Sequence, residues 1–87
     1  MRILVVEDEQ RLTNLLRRVL VEERHTVDVA NDGNTGFDLA ASDTYDLVVL
    51  GIVLPGIDGV EVCRQMRTDG VQSPVPMLTA RGARRTA

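Results

Sequence analysis

The sequence predicts an α/β fold, an open parallel sheet with helices on both faces. Three observations carry that expectation. Ile3-Leu4-Val5-Val6 and Leu47-Val48-Val49-Leu50 are short and wholly apolar, as strands buried on both faces are. Leu12, Leu15, Leu16, Val19 and Leu20 recur at i, i+3, i+4, i+7 and i+8, the stripe of an amphipathic helix. Strand-like and helix-like segments then alternate as βαβαβαβ, an order that requires right-handed crossovers in a parallel sheet.

Taken in order, the first strand is expected near residues 2–6 and the first helix near 9–22. Asp8 is a candidate N-cap for that helix, and Arg11, Arg17, Arg18, Glu22 and Glu23 lie mostly off its stripe. Thr26 to Ala30 alternates in polarity and reads as a half-exposed strand at an edge. Asn31-Asp32-Gly33 is a turn signal, followed by a short helix near 34–42 carrying Phe37, Leu39, Ala40 and Ala41. The third strand falls near 46–50. In the loop after it, Pro55 fixes φ and Gly56 supplies the positive φ of a type II turn. Asp58 is a candidate cap for a third helix near 58–68, with Val60, Cys63 and Met66 or Arg67 at helical spacing and Thr68-Asp69-Gly70 at its end. A fourth strand is expected near 75–78. Residues 1–80 thus read as one partial domain, and residues 81–87, which show no period, as an unstructured tail.

Composition bounds the function. With 87 residues, 44% of them apolar, there is room for one small domain. A chain of this size buries only about 60–65% of the surface its unfolded form exposes. Phe37 and Tyr45 are the only aromatics, so the core rests on Leu, Val, Ile, Met and Ala. A net charge of −3 argues against nucleic acid as a direct partner. All ten basic residues are Arg. The lone Cys63 suits a reducing compartment, and the longest nearly continuous apolar run, Leu47 to Leu54, is far short of a membrane span. The expectation is a soluble, cytoplasmic protein.

In open sheets of this kind, sites form at the carboxyl ends of the strands. There the sequence places Glu7, Asp8 and Glu9 after the first strand, Gly51 after the third, and Thr79 and Ala80 after the fourth. An acidic pair at a strand end suits Mg²⁺, which prefers carboxylate oxygens. A neighbouring hydroxyl suits a phosphoryl oxygen. Each feature alone has a plainer reading: acids at a helix start favour the helix dipole, and a single Thr is commonly a loop or capping residue.

The combination is more specific. Ile3-Leu4-Val5-Val6-Glu7-Asp8-Glu9, then Asp46 to Leu50 with Leu54-Pro55-Gly56-Ile57-Asp58-Gly59, then Met77-Leu78-Thr79-Ala80-Arg81, resembles a response-regulator receiver domain. The wording is nearest to the OmpR-like class, whose receivers precede a winged-helix DNA-binding domain. The resemblance runs from residue 1 to about residue 82. It implies the flavodoxin-like, CheY-like sheet of order 2-1-3-4-5, here truncated after the fourth strand. It implies a sensor histidine kinase as partner. It implies Mg²⁺ held by Glu7, Asp8 and the backbone carbonyl of Val53, a switch hydroxyl at Thr79, and Ala80 as the small residue that admits the phosphoryl group.

Three features depart from that family. Its phosphoacceptor aspartate is replaced by Gly51, which has no nucleophile and removes a metal ligand. The family's lysine at the end of strand five has no counterpart, because the chain contains no Lys, and the last two helices are missing. Pro76 stands inside the fourth strand, where it is tolerated if that strand is an edge. Expected, then, is a non-enzymatic partial receiver from a DNA-binding regulator, unable to be phosphorylated at the usual site and binding Mg²⁺ weakly or not at all. Its exposed fourth-strand edge is expected to favour self-association. The alternative is a pseudo-receiver that docks a kinase or partner regulator without phosphorylation. A small Mg²⁺-dependent phosphatase or nucleotide binder is disfavoured by the lack of a nucleophile and of a Gly-rich phosphate loop.

Overall fold

In the computed structural model, the backbone is described for residues 1–79 and 82–86 and the side chains for residues 1–78. The elements are β1 (Arg2–Val6), α1 (Gln10–Glu22), β2 (Thr26–Ala30), α2 (Gly33–Ser42), β3 (Leu47–Gly51), α3 (Gly59–Thr68), β4 (Pro76–Thr79) and β5 (Gly82–Thr86). The sheet order is β2-β1-β3-β4-β5. The first four strands are parallel, with Val5 opposite both Val29 and Val49. The expected parallel sheet with helices on both faces is therefore present, and β2 is an edge strand as its alternation predicted.

Strand pleating divides the core in two. Leu4, Val6, Val48 and Leu50 point to the face covered by α2 and α3, where Ala40, Val62, Cys63 and Met66 complete a cluster. Ile3, Val5 and Val49 point to the other face, against Leu16 and Leu20 of α1. Ile3 to Val6 are completely buried, since neighbouring strands and both helical layers enclose β1. The α1 stripe is only partly covered: Leu15 is 48% and Val19 46% exposed, and Thr13 is the helix's one buried residue. Periodicity located the helix but overstated how much of the stripe is packed.

The ends of the helices refine the sequence reading. Glu9, not Asp8, is the N-cap of α1, and it makes no side-chain capping bond. Asp58 caps α3 as expected, accepting from the Glu61 amide at 2.9 Å. Asp32, read as a turn residue, caps α2 by accepting from the Thr35 amide at 2.7 Å, and that bond holds its carboxyl below the ordinary carboxylate range. Gly56 has φ +79°, as the turn required.

After β4 the expectation changes. Residues 82–86, read as part of an unstructured tail, form β5, antiparallel to β4 with Thr79 opposite Gly82 and Pro76 opposite Thr86. The backbone donors and acceptors on the outer side of β4 favour any strand that can pair with them, and an antiparallel partner needs only a short connection. The free fourth-strand edge expected to drive self-association is thus covered. Pro76 is accommodated because it is the first residue of its strand, where a missing N–H is tolerated.

At the opposite end of the sheet, the buried Tyr45 hydroxyl donates to Asp28 Oδ2 at 2.7 Å. Burial, reinforced by Asp28, pushes the phenol up to about 12. The Arg2 guanidinium lies 4.9 Å over the ring and bridges Asp28 and Asp43.

The turn from α1 to β2 holds Arg24 at φ +67°, a left-handed conformation that side chains disfavour. Arg24 is exposed, and among the described residues its one hydrogen bond is from its backbone amide to the Val21 carbonyl at 2.9 Å. Arg24→Gly is expected to raise unfolding free energy by roughly 0.5–1 kcal/mol, the left-handed penalty less the added chain entropy of glycine. A urea midpoint at or below that of the parent chain would contradict this.

Candidate functional site

The carboxyl ends of β1, β3 and β4 converge on a cavity of about 410 Å³ lined by Glu7, Asp8, Glu9, Leu12, Ile52, Val53 and Leu78. Its floor follows from strand pairing. The Glu7 amide donates to the Ala30 carbonyl at 3.0 Å, and the Ile52 amide to the Leu78 carbonyl at 3.1 Å, so each chain leaves the sheet still tied to its neighbour.

The loop after β3 is held by a close backbone approach. The Gly59 amide donates to the Ile52 carbonyl at 2.8 Å. A Cβ on Gly59 would stand 1.9 Å from the Gly51 carbonyl oxygen, so only glycine lets α3 start this near the end of β3. Val53 rides on this loop, 83% exposed, beside the cavity it helps to line.

Glu7 and Asp8, singled out from sequence, are both on the cavity wall but are not equivalent. Asp8 is exposed, whereas Glu7 is only 8% exposed. Glu7 Oε2 accepts from the Glu9 amide at 2.9 Å, and the Glu7 carbonyl accepts from Asn31 Nδ2 at 3.0 Å. Burial pushes the Glu7 carboxyl above the ordinary carboxylate range; the Glu9 amide pulls it back, and the neighbouring Asp8 adds to the rise. Gly51 is the buried last residue of β3 and faces the Glu7 carboxylate.

Thr79 ends β4, next to the cavity-lining Leu78, while its side chain and all of Ala80 lie outside the described residues. Sequence reasoning missed Asn31 and the Glu9 amide as supports of Glu7. Asn31 carried only a turn signal, and a backbone donor leaves no mark in a sequence.

Among the described residues, no three His, Cys, Asp or Glu side chains converge to hold a metal. Of the acidic pair, Glu7 is turned inward and bonded to the Glu9 amide, while the exposed Asp8 side chain interacts with the Glu7 carboxyl.

Comparisons with known proteins bear on this geometry. Residues 3–87 match the family described as the response regulator receiver domain. The chain is 56% identical over 82 residues to the transcriptional regulatory protein TcrA of Mycobacterium tuberculosis, covering 94% of this chain and 32% of TcrA. It is 46% identical over 79 residues to the response regulator ArlR of Staphylococcus epidermidis, covering 91% of this chain and 36% of ArlR. The chain therefore spans about a third of the length of these curated relatives. Among solved structures, the response regulator TrrA of Thermotoga maritima, in complex with Mg²⁺ and BeF, superposes with a TM-score of 0.82 at 35% identity, covering 92% of this chain and 71% of that one. No helix among the described residues is long and apolar enough to cross a membrane.

The burial of Glu7 has a pH consequence. A carboxyl whose folded pKa is raised stabilises the fold below its unfolded value, and that contribution is lost as pH rises through the folded value. Compared with Glu7→Gln, which keeps an acceptor for the Glu9 amide, the parent chain is expected to lose relative stability as pH rises through and just above the carboxylate range. Urea midpoints of both proteins across that range test this; a pH-independent difference would refute it.

Proposed function

This chain belongs to the response regulator receiver domain family, and on that premise we propose that it is a receiver segment of a two-component transcriptional regulator that does not accept a phosphoryl group at the usual site. Receiver domains of this family bind Mg²⁺ and interact with sensor histidine kinases. The observation that carries the proposal is Gly51. It ends β3 against the acidic wall, where the resemblance places the acceptor aspartate, and it offers no nucleophile. Glu7, Asp8 and the Val53 carbonyl are the remaining metal-site candidates, and Thr79 and Ala80 the phosphoryl-contact candidates. With one carboxylate absent and another turned inward, Mg²⁺ binds weakly or not at all. The segment acts in the cytoplasm as a non-enzymatic element, and its charge of −3 supports no direct contact with nucleic acid.

A second reading is supported by how well the strand end is packed. Gly59 seats α3 on β3, Ile3 to Val6 of β1 are fully buried, and β5 covers β4. A packed body of this kind suits a module that docks a kinase or partner regulator without phosphorylation.

Incubated with acetyl phosphate and Mg²⁺, the chain is expected to take up no hydroxylamine-sensitive acyl phosphate. Gly51→Asp is expected to restore little labelling, because the chain supplies no lysine to pair with the phosphoryl group. Stoichiometric labelling of the parent chain would overturn the proposal. A Mg²⁺ affinity equal to that of TrrA would overturn its metal component.

A further inference from the structure

Glu7 stands where a side chain at position 51 would be. A Cβ built on Gly51 meets Glu7 Oε1 at 2.6 Å and Glu7 Cδ at 3.3 Å, with a Leu54 methyl carbon at 3.2 Å. In an aspartate, the carboxylate oxygens lie about 2.4 Å from Cβ, the distance across one C–C and one C–O bond. Glu7 Oε1 thus lies at nearly the radius at which an acceptor carboxylate at position 51 would hold its own oxygens.

The placement is braced. Glu7 Oε2 takes the Glu9 amide, its carbonyl takes Asn31 Nδ2, and its amide is tied to Ala30. A long, flexible side chain at the end of a strand loses rotamer freedom when it folds inward, so an inward position needs a space to fill and a bond to hold it. Gly51 provides the space and Glu9 the bond.

We propose that Glu7 is a built-in plug for the acceptor position: its carboxylate occupies the volume left by the missing side chain, so that residues 7 and 51 are one coupled packing choice. Any side chain at position 51 drives Glu7 outward into the cavity and breaks its bond to the Glu9 amide. The inference concerns packing alone and stands or falls independently of phosphotransfer.

A double-mutant cycle on the full chain tests it, using Gly51→Ala, Glu7→Ala and the pair. With Glu7 present, Gly51→Ala is expected to lower the folding equilibrium constant about tenfold or more. With Glu7→Ala, the same change is expected to cost less than about threefold, because Leu54 alone must yield and the lost backbone freedom of the unfolded chain favours Ala. The Glu9 amide resonance reports the plug directly. It is expected to shift, and to exchange faster, in both single variants. Equal costs of Gly51→Ala in the two backgrounds, or a Glu9 amide indifferent to Glu7→Ala, would overturn the proposal. If Gly51→Ala does not fold, folding of the double variant supports the plug and failure of the double variant refutes it.

Discussion

The rest of the structure depends on the enclosure of β1. Ile3 to Val6 are fully buried because β2 and β3 flank them in register while α1 covers one face and α2 and α3 the other. At about 25 cal/mol per Å² of apolar surface removed from water, burying four large aliphatic side chains in a row is a major contribution to the fold. A strand so enclosed can leave the sheet only at its ends. Its carboxyl end therefore delivers Glu7, Asp8 and Glu9 to one fixed place, and the acidic wall of the cavity is a by-product of the core.

A second constraint acts at the end of β3. Gly59 lets the start of α3 pack onto the Gly51 carbonyl, which draws the Ile52–Asp58 loop over the strand end. The two glycines have different meanings. Gly59 is demanded by backbone proximity, whereas at Gly51 the nearest obstacle is the side chain of Glu7. A side chain can move and a carbonyl in a packed sheet cannot. What a side chain at position 51 would meet first is therefore adjustable, whereas what one at position 59 would meet is not.

The fold was largely legible because the relevant signals are local. Four apolar residues in a row specify a doubly buried strand, and the spacing of Leu12, Leu16 and Leu20 specifies a helix seated on it. What local signals could not rank was exposure along the α1 stripe. Leu15 and Val19 satisfy the period as well as Leu16 does, yet a single helix on that face reaches the sheet only along its central line. Residues 82–86 were missed for the opposite reason. Gly82, Ala83, Arg84, Arg85 and Thr86 have little strand character of their own, and their pairing is imposed by the waiting edge of β4.

For the site, the sequence by itself determined the cast: an acidic pair after β1, a glycine at the end of β3, and a Pro-Gly turn leading to a capped helix. These follow from residue identity at fixed offsets from recognisable elements. Only the tertiary structure decided what the cast does together. It turned Glu7 inward and left Asp8 exposed, although the two are adjacent and chemically alike, because the empty volume lies beside a residue 44 positions away and a neighbouring amide is free to hold the carboxylate there. Packing space and backbone donors are properties of the folded chain, and nothing in the order of side chains encodes them locally.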